Sequence, residues 1–212
     1  MRRPPRAAGE WGYVAKPPLD LLERWLADVV ATPGLTSIRD LTEARRALLD
    51  DALRWLELVR TLGGPVVDVG SGGGTPGIPL AASLPDRQFT LLEAERRKCE
   101  FLRRYEPKLP NLHVVWGRAE EQQTDTFGVA VAKALAPPPV AAELCLPLVR
   151  PGGTVVLWVG PTVEADRVAA VATRLAAELE SAPSGLLLLR KLAATPLGFP
   201  RRAGMAKKRP LA

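Results

Sequence analysis

The 212-residue chain is poor in the side chains that most often hold metals or form cross-links. Its two cysteines, Cys99 and Cys145, are too few for a disulfide framework and lie in apolar helical patterns, so we expect both in the core. Its single histidine, His113, opens a predicted strand far along the chain from the glycine-rich loop described below, and we expect it to be structural. The sequence therefore predicts no metal site.

Long hydrophobic runs are also missing. No stretch of about 18 apolar residues occurs, so we expect no transmembrane helix. No apolar segment follows the basic residues at the start of the chain, as a secretion signal would require. Hydrophobic residues make up 47% of the chain and charged residues 25%, which is ordinary for one globular domain. We expect a monomeric cytoplasmic protein with no membrane or metal partner.

Acidic residues are absent from positions 190–212, which carry seven basic ones. Positions 1–16 have a net charge of +3, so the remaining body carries −4 of the overall +6. A mildly acidic body with basic ends is typical of nucleic-acid-binding proteins, but a solvated tail that keeps a protein soluble has the same charge pattern. The candidates for RNA phosphate contacts are Arg201, Arg202, Lys207, Lys208 and Arg209.

Hydrophobic periodicity predicts two helices followed by an alternation of strands and helices. The first helix spans 20–31, and the second begins near Asp40, with Glu43 as a capping partner, and stops at Gly63-Gly64-Pro65. The predicted strands are 65–69, 88–93, 112–116, 127–132, 153–159 and 186–192. The predicted helices between them are 77–84, 95–106, 137–149 and 163–180, and about the last ten residues are predicted as loop or edge structure. This alternation predicts an α/β fold with a mostly parallel sheet covered on both faces.

The segment Val66–Gly77 joins a short apolar strand to a helix through a loop with five glycines. Such a loop lets a ligand lie directly against the backbone beside a helix N-terminus. A dinucleotide fingerprint fits only in a slipped register, through Gly72, Gly74 and Gly77. The pattern Asp68-x-Gly70-x-Gly72-x-Gly74 fits S-adenosylmethionine (SAM) methyltransferases better, with Asp68 within reach of the ammonium group of SAM.

Two later loops extend the predicted cofactor site. Glu93 ends the next strand, where a carboxylate can accept hydrogen bonds from the two ribose hydroxyls of either SAM or NAD. Arg118-Ala119-Glu120 follows the third strand, where the adenine would lie and a side-chain acceptor could bind its amino group. Glu93 could equally cap a helix, and Glu120 could equally open one.

The motifs of several methyltransferase classes are absent. The chain has no Asp/Asn-Pro-Pro-Tyr/Phe segment, which marks methylation of exocyclic amines, and no Pro-Cys pair, which marks methylation of pyrimidine C5. These absences favour a substrate atom with a free lone pair, such as guanine N7, which needs alignment rather than deprotonation.

Several segments resemble the bacterial ribosomal RNA small-subunit methyltransferase G family, also called glucose-inhibited division protein B. The Pro76-Gly77-Ile78-Pro79 extension of the glycine-rich loop is typical of that family. Further similar segments are Leu91-Leu92-Glu93, Arg97 to Leu102, Gly117 to Glu120, Phe199 to Gly204 and Lys207 to Pro210. The resemblance covers roughly residues 19–212.

The resemblance implies a class I SAM-dependent methyltransferase with a Rossmann-like, seven-stranded sheet and an N-terminal helical extension. It implies N7 methylation of one guanine in the 530 loop of 16S rRNA, around guanine 527, in the free rRNA or the small ribosomal subunit. With the residues argued above, the cofactor site comprises Asp68, Gly70, Gly72, Gly74, Thr75, Glu93, Ala94, Glu95, Ala119, Glu120 and Lys133. The predicted parts are a basic flexible N-terminus (1–18), an N-terminal cover (19–63), a cofactor-binding core (64–192) and a basic C-terminal segment (193–212).

The chain departs from the family pattern at three places. Lys133 stands where the family usually has arginine, which keeps the charge but loses the planar fork. Ala47 and Asp51 stand where the family usually has histidine and serine, and two asparagines of the N-terminal cover are replaced near Leu26 and Gly34. The N-terminal cover therefore either contacts RNA differently or only covers the sheet.

Three alternatives remain open at this point. An O-methyltransferase acting on RNA ribose or a small molecule could use Lys133 as its base. A NAD(P)-dependent oxidoreductase could use the slipped glycine fingerprint. A non-catalytic RNA-binding protein could retain the cofactor pocket. No catalytic residue is certain, and Lys133 is the candidate for positioning.

Overall fold

The computed structural model describes residues 18–212, so the predicted basic segment at the start of the chain lies outside the described residues apart from its last position. The helices are α1 Leu19–Ala31, α2 Leu41–Ala44, α3 Asp51–Arg54, α4 Leu56–Thr61, α5 Gly77–Ser83, α6 Arg96–Leu102, α7 Pro138–Cys145, α8 Ala165–Arg174 and α9 Met205–Lys208. The strands are β1 Val66–Val69, β2 Phe89–Glu93, β3 Leu112–Trp116, β4 Phe127–Lys133, β5 Val149–Trp158, β6 Ala177–Glu180 and β7 Leu186–Lys191. None of the helices between residues 18 and 212 is long and apolar enough to cross a bilayer.

The seven strands form one sheet in the order β3-β2-β1-β4-β5-β7-β6. All neighbours are parallel except β7, which runs antiparallel to both β5 and β6. From β1, the chain adds β2 and then β3 toward one edge of the sheet. It then returns to the middle with β4, and the remaining strands lie toward the other edge. The carboxyl ends of β1 and β4 therefore flank a topological switch point, where ligands of open α/β sheets bind.

The core lies on both faces of this sheet. One cluster of buried side chains joins the sheet to α1, α5 and α6 and contains Trp25 and Phe101, and the other joins it to α7 and α8. Every residue of β1 is buried, because helices cover both faces of a parallel sheet. Cys99 and Cys145 are buried in these clusters, as predicted. The mostly parallel, two-sided α/β architecture is confirmed.

One predicted helix was wrong in its second half. The segment 163–180 is helical only to Arg174, and Ala177–Glu180 forms β6. Ala176 takes a left-handed backbone conformation, with φ of 53°, which turns the chain out of the helix. Leu179 then pairs with Leu189 of β7, so cross-strand packing decides the conformation of a segment whose composition suits a helix.

The long predicted helix of the N-terminal cover is also broken. Its start is confirmed, because the Asp40 side chain accepts a hydrogen bond of 2.8 Å from the Glu43 amide. However, Arg45–Asp50 form a π-helical turn, and the helix is interrupted again at Trp55. A π turn shifts the helical register locally and is common beside functional sites.

The end of the chain differs from the prediction of loop or edge structure, because Met205–Lys208 form the short helix α9. Arg201 holds this segment in place: its guanidinium donates to both carboxylate oxygens of the buried Glu143, at 2.6 and 2.7 Å, and to the Arg209 carbonyl at 2.8 Å. A bidentate pair of this kind fixes both distance and orientation.

Candidate functional site

A cavity of about 510 Å³ opens at the carboxyl ends of β1, β2, β3 and β4. Eight of the eleven predicted cofactor residues line it: Gly70, Gly72, Thr75, Glu93, Ala94, Ala119, Glu120 and Lys133. Asp68, Gly74 and Glu95 are not among its lining residues. His113 lies elsewhere, exposed on β3 with its Nδ1 3.2 Å from Glu106.

The glycines of the loop serve different purposes. Gly70, Gly72 and Gly74 all have positive φ, a conformation that other L residues rarely adopt. A Cβ on Gly72 would meet no atom closer than 3.9 Å, so this glycine keeps space open in the cavity. A Cβ on Gly70 would instead come within 2.4 Å of the Leu135 side chain, and one on Gly77 within 2.3 Å of Leu91. Those two glycines allow close packing around the loop.

Glu93 organises the loop and faces the cavity at once. Its side chain is almost buried, with 8% exposed. One carboxylate oxygen accepts from the Gly72 amide at 2.9 Å, and the other accepts from the Glu95 amide at 2.8 Å. Because each carboxylate oxygen can accept two hydrogen bonds, both oxygens retain a free acceptor site for a pair of ligand hydroxyls.

Asp68 lies behind the loop rather than in the cavity wall. It is only 1% exposed, and its Oδ2 accepts from the Gly77 amide at the start of α5, at 3.0 Å. Its Oδ1 has no hydrogen-bond partner among residues 18–212. Burial raises the pKa of this carboxyl to about 7, and the hydrogen bond from the Gly77 amide opposes the shift. An acceptor buried without a partner is costly, so a donor at Oδ1 would be stabilising.

Lys133, at the end of β4, is tied to the N-terminal cover. Its ammonium donates to the Ala47 carbonyl and forms a salt bridge with Asp51. These are three of the positions at which the resemblance implied a departure from the family pattern, so those three meet in a single cluster. A lysine ammonium that is paired in this way has no lone pair with which to act as a base.

The N-terminal cover forms part of the cavity wall, which sequence reasoning did not predict. Leu35, Thr36, Ser37 and Leu48 line the cavity. Two hydrogen bonds join the cover to the glycine-rich loop: Trp25 Nε1 donates to the Gly73 carbonyl at 2.8 Å, and Thr75 Oγ1 donates to the Leu48 carbonyl at 2.7 Å. The only indication of this contact in the sequence was the position of Trp25 on the apolar face of a predicted amphipathic helix.

The C-terminal segment reaches the same cavity. The Gly204 amide donates to Glu120 at 2.8 Å, and Lys207 joins the cavity lining. Glu120 therefore holds this segment as well as facing the cavity. Arg202, Lys208 and Arg209 are exposed beside it. Four of the five basic side chains predicted to bind RNA are therefore exposed next to the predicted cofactor site. The fifth, Arg201, is paired with Glu143.

The donors and acceptors of the cavity fit SAM. The open space at Gly72 suits a ligand lying against the backbone, and the free acceptor sites of Glu93 suit two ribose hydroxyls. Among residues 18–212, no group of three or more histidine, cysteine or acidic side chains could hold a metal ion.

Residues 18–182 match a family model described as rRNA small subunit methyltransferase G. The chain is 34% identical over 199 residues to the ribosomal RNA small subunit methyltransferase G of Synechococcus elongatus, covering 84% of this chain and 82% of that protein. It is 33% identical over 211 residues to the Moorella thermoacetica protein of the same name, covering 88% and 86%.

Solved structures share the fold. A Thermus thermophilus 16S rRNA N2 G1207 methyltransferase, determined with AdoMet and guanosine, superposes with a TM-score of 0.51 at 18% identity, covering 70% of this chain and 40% of that one. A predicted O-methyltransferase from Agrobacterium tumefaciens gives 0.53 at 16% identity, covering 65% and 78%. The class I SAM-methyltransferase fold expected from the sequence is confirmed.

Proposed function

Because the chain belongs to the rRNA small subunit methyltransferase G family, we propose that it transfers a methyl group from SAM to N7 of a guanine in the 530 loop of 16S rRNA. The observation that carries the cofactor assignment is the bond between Glu93 and the Gly72 amide, which joins the ribose acceptor to the glycine-rich loop. The base and the atom rest on the family resemblance and on the absence of other nucleophile-activating motifs.

The cavity residues divide among the parts of the cofactor. Glu93 would accept the two ribose hydroxyls, and Ala94 and Ala119 would flank the adenine. Gly72 would leave room for the methionine part, whereas Asp68, buried behind the loop, would hold the loop through the Gly77 amide rather than contact the cofactor. When bound, SAM supplies an electrophilic methyl group on a sulfonium.

Guanine N7 carries a free lone pair, so the protein needs to align and desolvate it rather than remove a proton. The paired state of Lys133 agrees with that requirement, since Asp51 and the Ala47 carbonyl hold its ammonium at the edge of the cavity. We assign Lys133 a positioning role, joining the N-terminal cover to the end of β4.

A second cavity, of about 880 Å³, adjoins the first and shares Leu135 and Lys207 with it. Its other walls include the proline-rich segment 136–139 and the end of the C-terminal segment. We propose that the target guanine enters here. The exposed side chains of Arg202, Lys207, Lys208 and Arg209 would contact phosphates, which gives a salt-dependent affinity without sequence preference.

The decisive experiment incubates the protein with labelled SAM and with unmethylated small subunits or naked 16S rRNA, followed by mass spectrometry of the digested RNA. We expect 7-methylguanosine in the 530 loop. A methyl group on a ribose oxygen would instead establish the O-methyltransferase alternative. Thermal stabilisation by NAD(P) but not by SAM would establish the oxidoreductase alternative, and RNA binding without methyl transfer the non-catalytic one. With an rRNA substrate, the protein would act in the cytoplasm, and we expect a monomer.

A further inference from the structure

An exposed tryptophan stands beside the cofactor cavity. Trp116 ends β3, the edge strand, and 55% of its surface is exposed. The ring is held in place, because its Nε1 donates to the Ala94 carbonyl at 3.1 Å and the Arg96 guanidinium lies 5.9 Å from a ring centroid. An indole that is fixed by a hydrogen bond and backed by a cation can bind a flat partner without further ordering.

The position of this ring connects it to the site. Trp116 is the register partner of Glu93 across β2 and β3. The residues that follow it, Gly117 and Arg118, line the cavity, as does Ala94, to which the ring is bonded, but Trp116 is not part of the lining. The ring therefore stands at the rim, outside the space where the cofactor would lie.

Helix α6, which supplies Arg96, and the loop after Trp116 carry both basic and acidic side chains. Arg97 is exposed on the same turn of α6, and three other cations are paired with acids: Arg96 with Glu100 at 3.0 Å, Lys98 with Glu95 at 2.9 Å and Arg118 with Glu120 at 3.9 Å. The Arg96–Glu100 pair is exposed on both sides and therefore weak, so a phosphate can compete for the Arg96 guanidinium. Glu120, which accepts from Gly204, joins this side of the cavity to the basic C-terminal segment.

We propose that Trp116 is a stacking platform for an unpaired RNA base that flanks the target guanine. The proposal rests on the proposed function, because it deepens the description of the same RNA substrate. Unpaired bases of RNA are recognised chiefly by stacking on aromatic side chains and arginine planes, and nearby cations contact the phosphates on either side. The ring supplies the stacking surface, and the Arg96 guanidinium against it and the exposed Arg97 supply the cations.

Binding of single-stranded oligoadenylate, measured by fluorescence anisotropy with SAM present, tests the platform directly. Since stacking on one aromatic ring contributes about 1–3 kcal/mol per base, Trp116→Ala should weaken binding about 5- to 160-fold. Trp116→Phe keeps a stacking surface and should stay within about threefold of the wild type. Leu192→Ala is the matched control, since Leu192 is 56% exposed beyond the end of β7, which lies next to the opposite edge strand, β6. It should change nothing.

Two further measurements identify the partner. The SAM dissociation constant of Trp116→Ala should equal that of the wild type, and the KM for small subunits should rise while kcat changes little. Unchanged oligoadenylate binding by Trp116→Ala, at an unchanged melting temperature, would overturn the proposal. A parallel loss of SAM affinity would instead make the ring an adenine contact. A defect seen with small subunits but not with naked RNA would identify a protein partner. This result would overturn the proposal, and so would a loss of SAM affinity.

The test separates this proposal from the proposed function. If wild-type protein leaves the 530 loop unmethylated, the proposed function fails. A loss of oligoadenylate affinity in Trp116→Ala that Trp116→Phe restores would still establish the stacking platform.

Discussion

Cavities lie at both ends of the sheet, and the one at the amino ends is larger than the predicted cofactor cavity. At the amino ends of the strands, a cavity of about 720 Å³ is lined by Arg60, Asp86 and Arg87 among others. At the carboxyl ends, the cavity around Glu93 and the glycine-rich loop measures about 510 Å³. Both contain charged side chains, so neither size nor charge distinguishes them.

They differ in what the polar groups are bonded to. At the amino end, the Arg87 guanidinium donates to the Gly64 and Val59 carbonyls, which ties α4 to the start of β1. At the carboxyl end, Glu93 orders the glycine-rich loop and retains acceptor sites that face the cavity. Buried polar atoms without a partner occur on Arg60 and Arg87 at the amino end and on Asp68 at the carboxyl end, so they do not distinguish the two ends. Strand topology favours the carboxyl end as well, because the switch point between β1 and β4 lies there.

The largest effect should come from filling the space at Gly72. Gly72→Val should abolish measurable SAM binding in calorimetry, because its Cβ points into open cavity space. Gly152→Val is the matched control, since Gly152 also has positive φ and open space around its Cβ but lies near the amino end of β5. It should show a similar cost of backbone strain and normal SAM affinity. Near-normal SAM binding by Gly72→Val would refute the assignment of the loop.

The next effect should come from Glu93. Glu93→Gln replaces one acceptor oxygen by a donor group that faces a backbone N–H, and it removes the charge that strengthens bonds to ribose hydroxyls. We expect SAM affinity to fall about 10- to 100-fold. Asp86→Asn, in the cavity at the amino end, should leave SAM affinity unchanged. An equal loss of SAM affinity in the two variants would contradict the assignment of the cofactor to the carboxyl-end cavity.

A smaller effect should follow from breaking the pair between Lys133 and Asp51. Lys133→Met and Asp51→Asn should each lower SAM affinity about three- to tenfold, and the double variant should be no worse than either, since the two residues act as one unit. At the amino end, Arg87→Met should lower the melting temperature without changing SAM affinity. Additive losses in the double variant would show that the pair is not the positioning unit.

The last effect concerns Asp68 and the pH dependence of folding stability rather than SAM affinity. Its folded pKa is about 7 against an ordinary value of 3.8, so between about pH 4 and 7 the folded state holds a proton that the unfolded state has lost. The free energy of unfolding should therefore fall as pH rises through this range, by at most about 1.4 kcal/mol per pH unit, and level off above it. Urea unfolding of the wild type and Asp68→Asn checks this, because the variant should lose that slope. If the free energy of unfolding depended on pH identically in both proteins, the titrating group would be a residue other than Asp68.

The comparison of the two ends also explains which features the sequence could predict. Local patterns sufficed for the parallel strands and the glycine-rich loop, because a strand buried on both faces and a run of glycines are visible in consecutive residues. Glu93 could be placed because it ends a strand adjacent to β1. For this reason, eight of the eleven predicted cofactor residues line the cavity at the carboxyl end.

Contacts between distant segments could not be predicted in this way. The strand at 177–180 depends on pairing with β7, and the cavity wall formed by residues 35–37 depends on how the N-terminal cover folds back over the loop. The capture of Arg201 by the buried Glu143, 58 positions away, likewise has no local signature. Asp68 was placed correctly in its strand, but only the packing of α5 shows that it lies behind the loop.

Hydrogen–deuterium exchange measured with and without SAM tests the central claim most directly, because it reports on both ends of the sheet in one experiment. We expect SAM to slow amide exchange in the glycine-rich loop, 70–77, and in the loop after β3, 117–121, and to leave 60–65 and 83–88 at the amino end unchanged. Slower exchange at 60–65 and 83–88, with none at the glycine-rich loop, would contradict the assignment of the carboxyl-end cavity as the cofactor site.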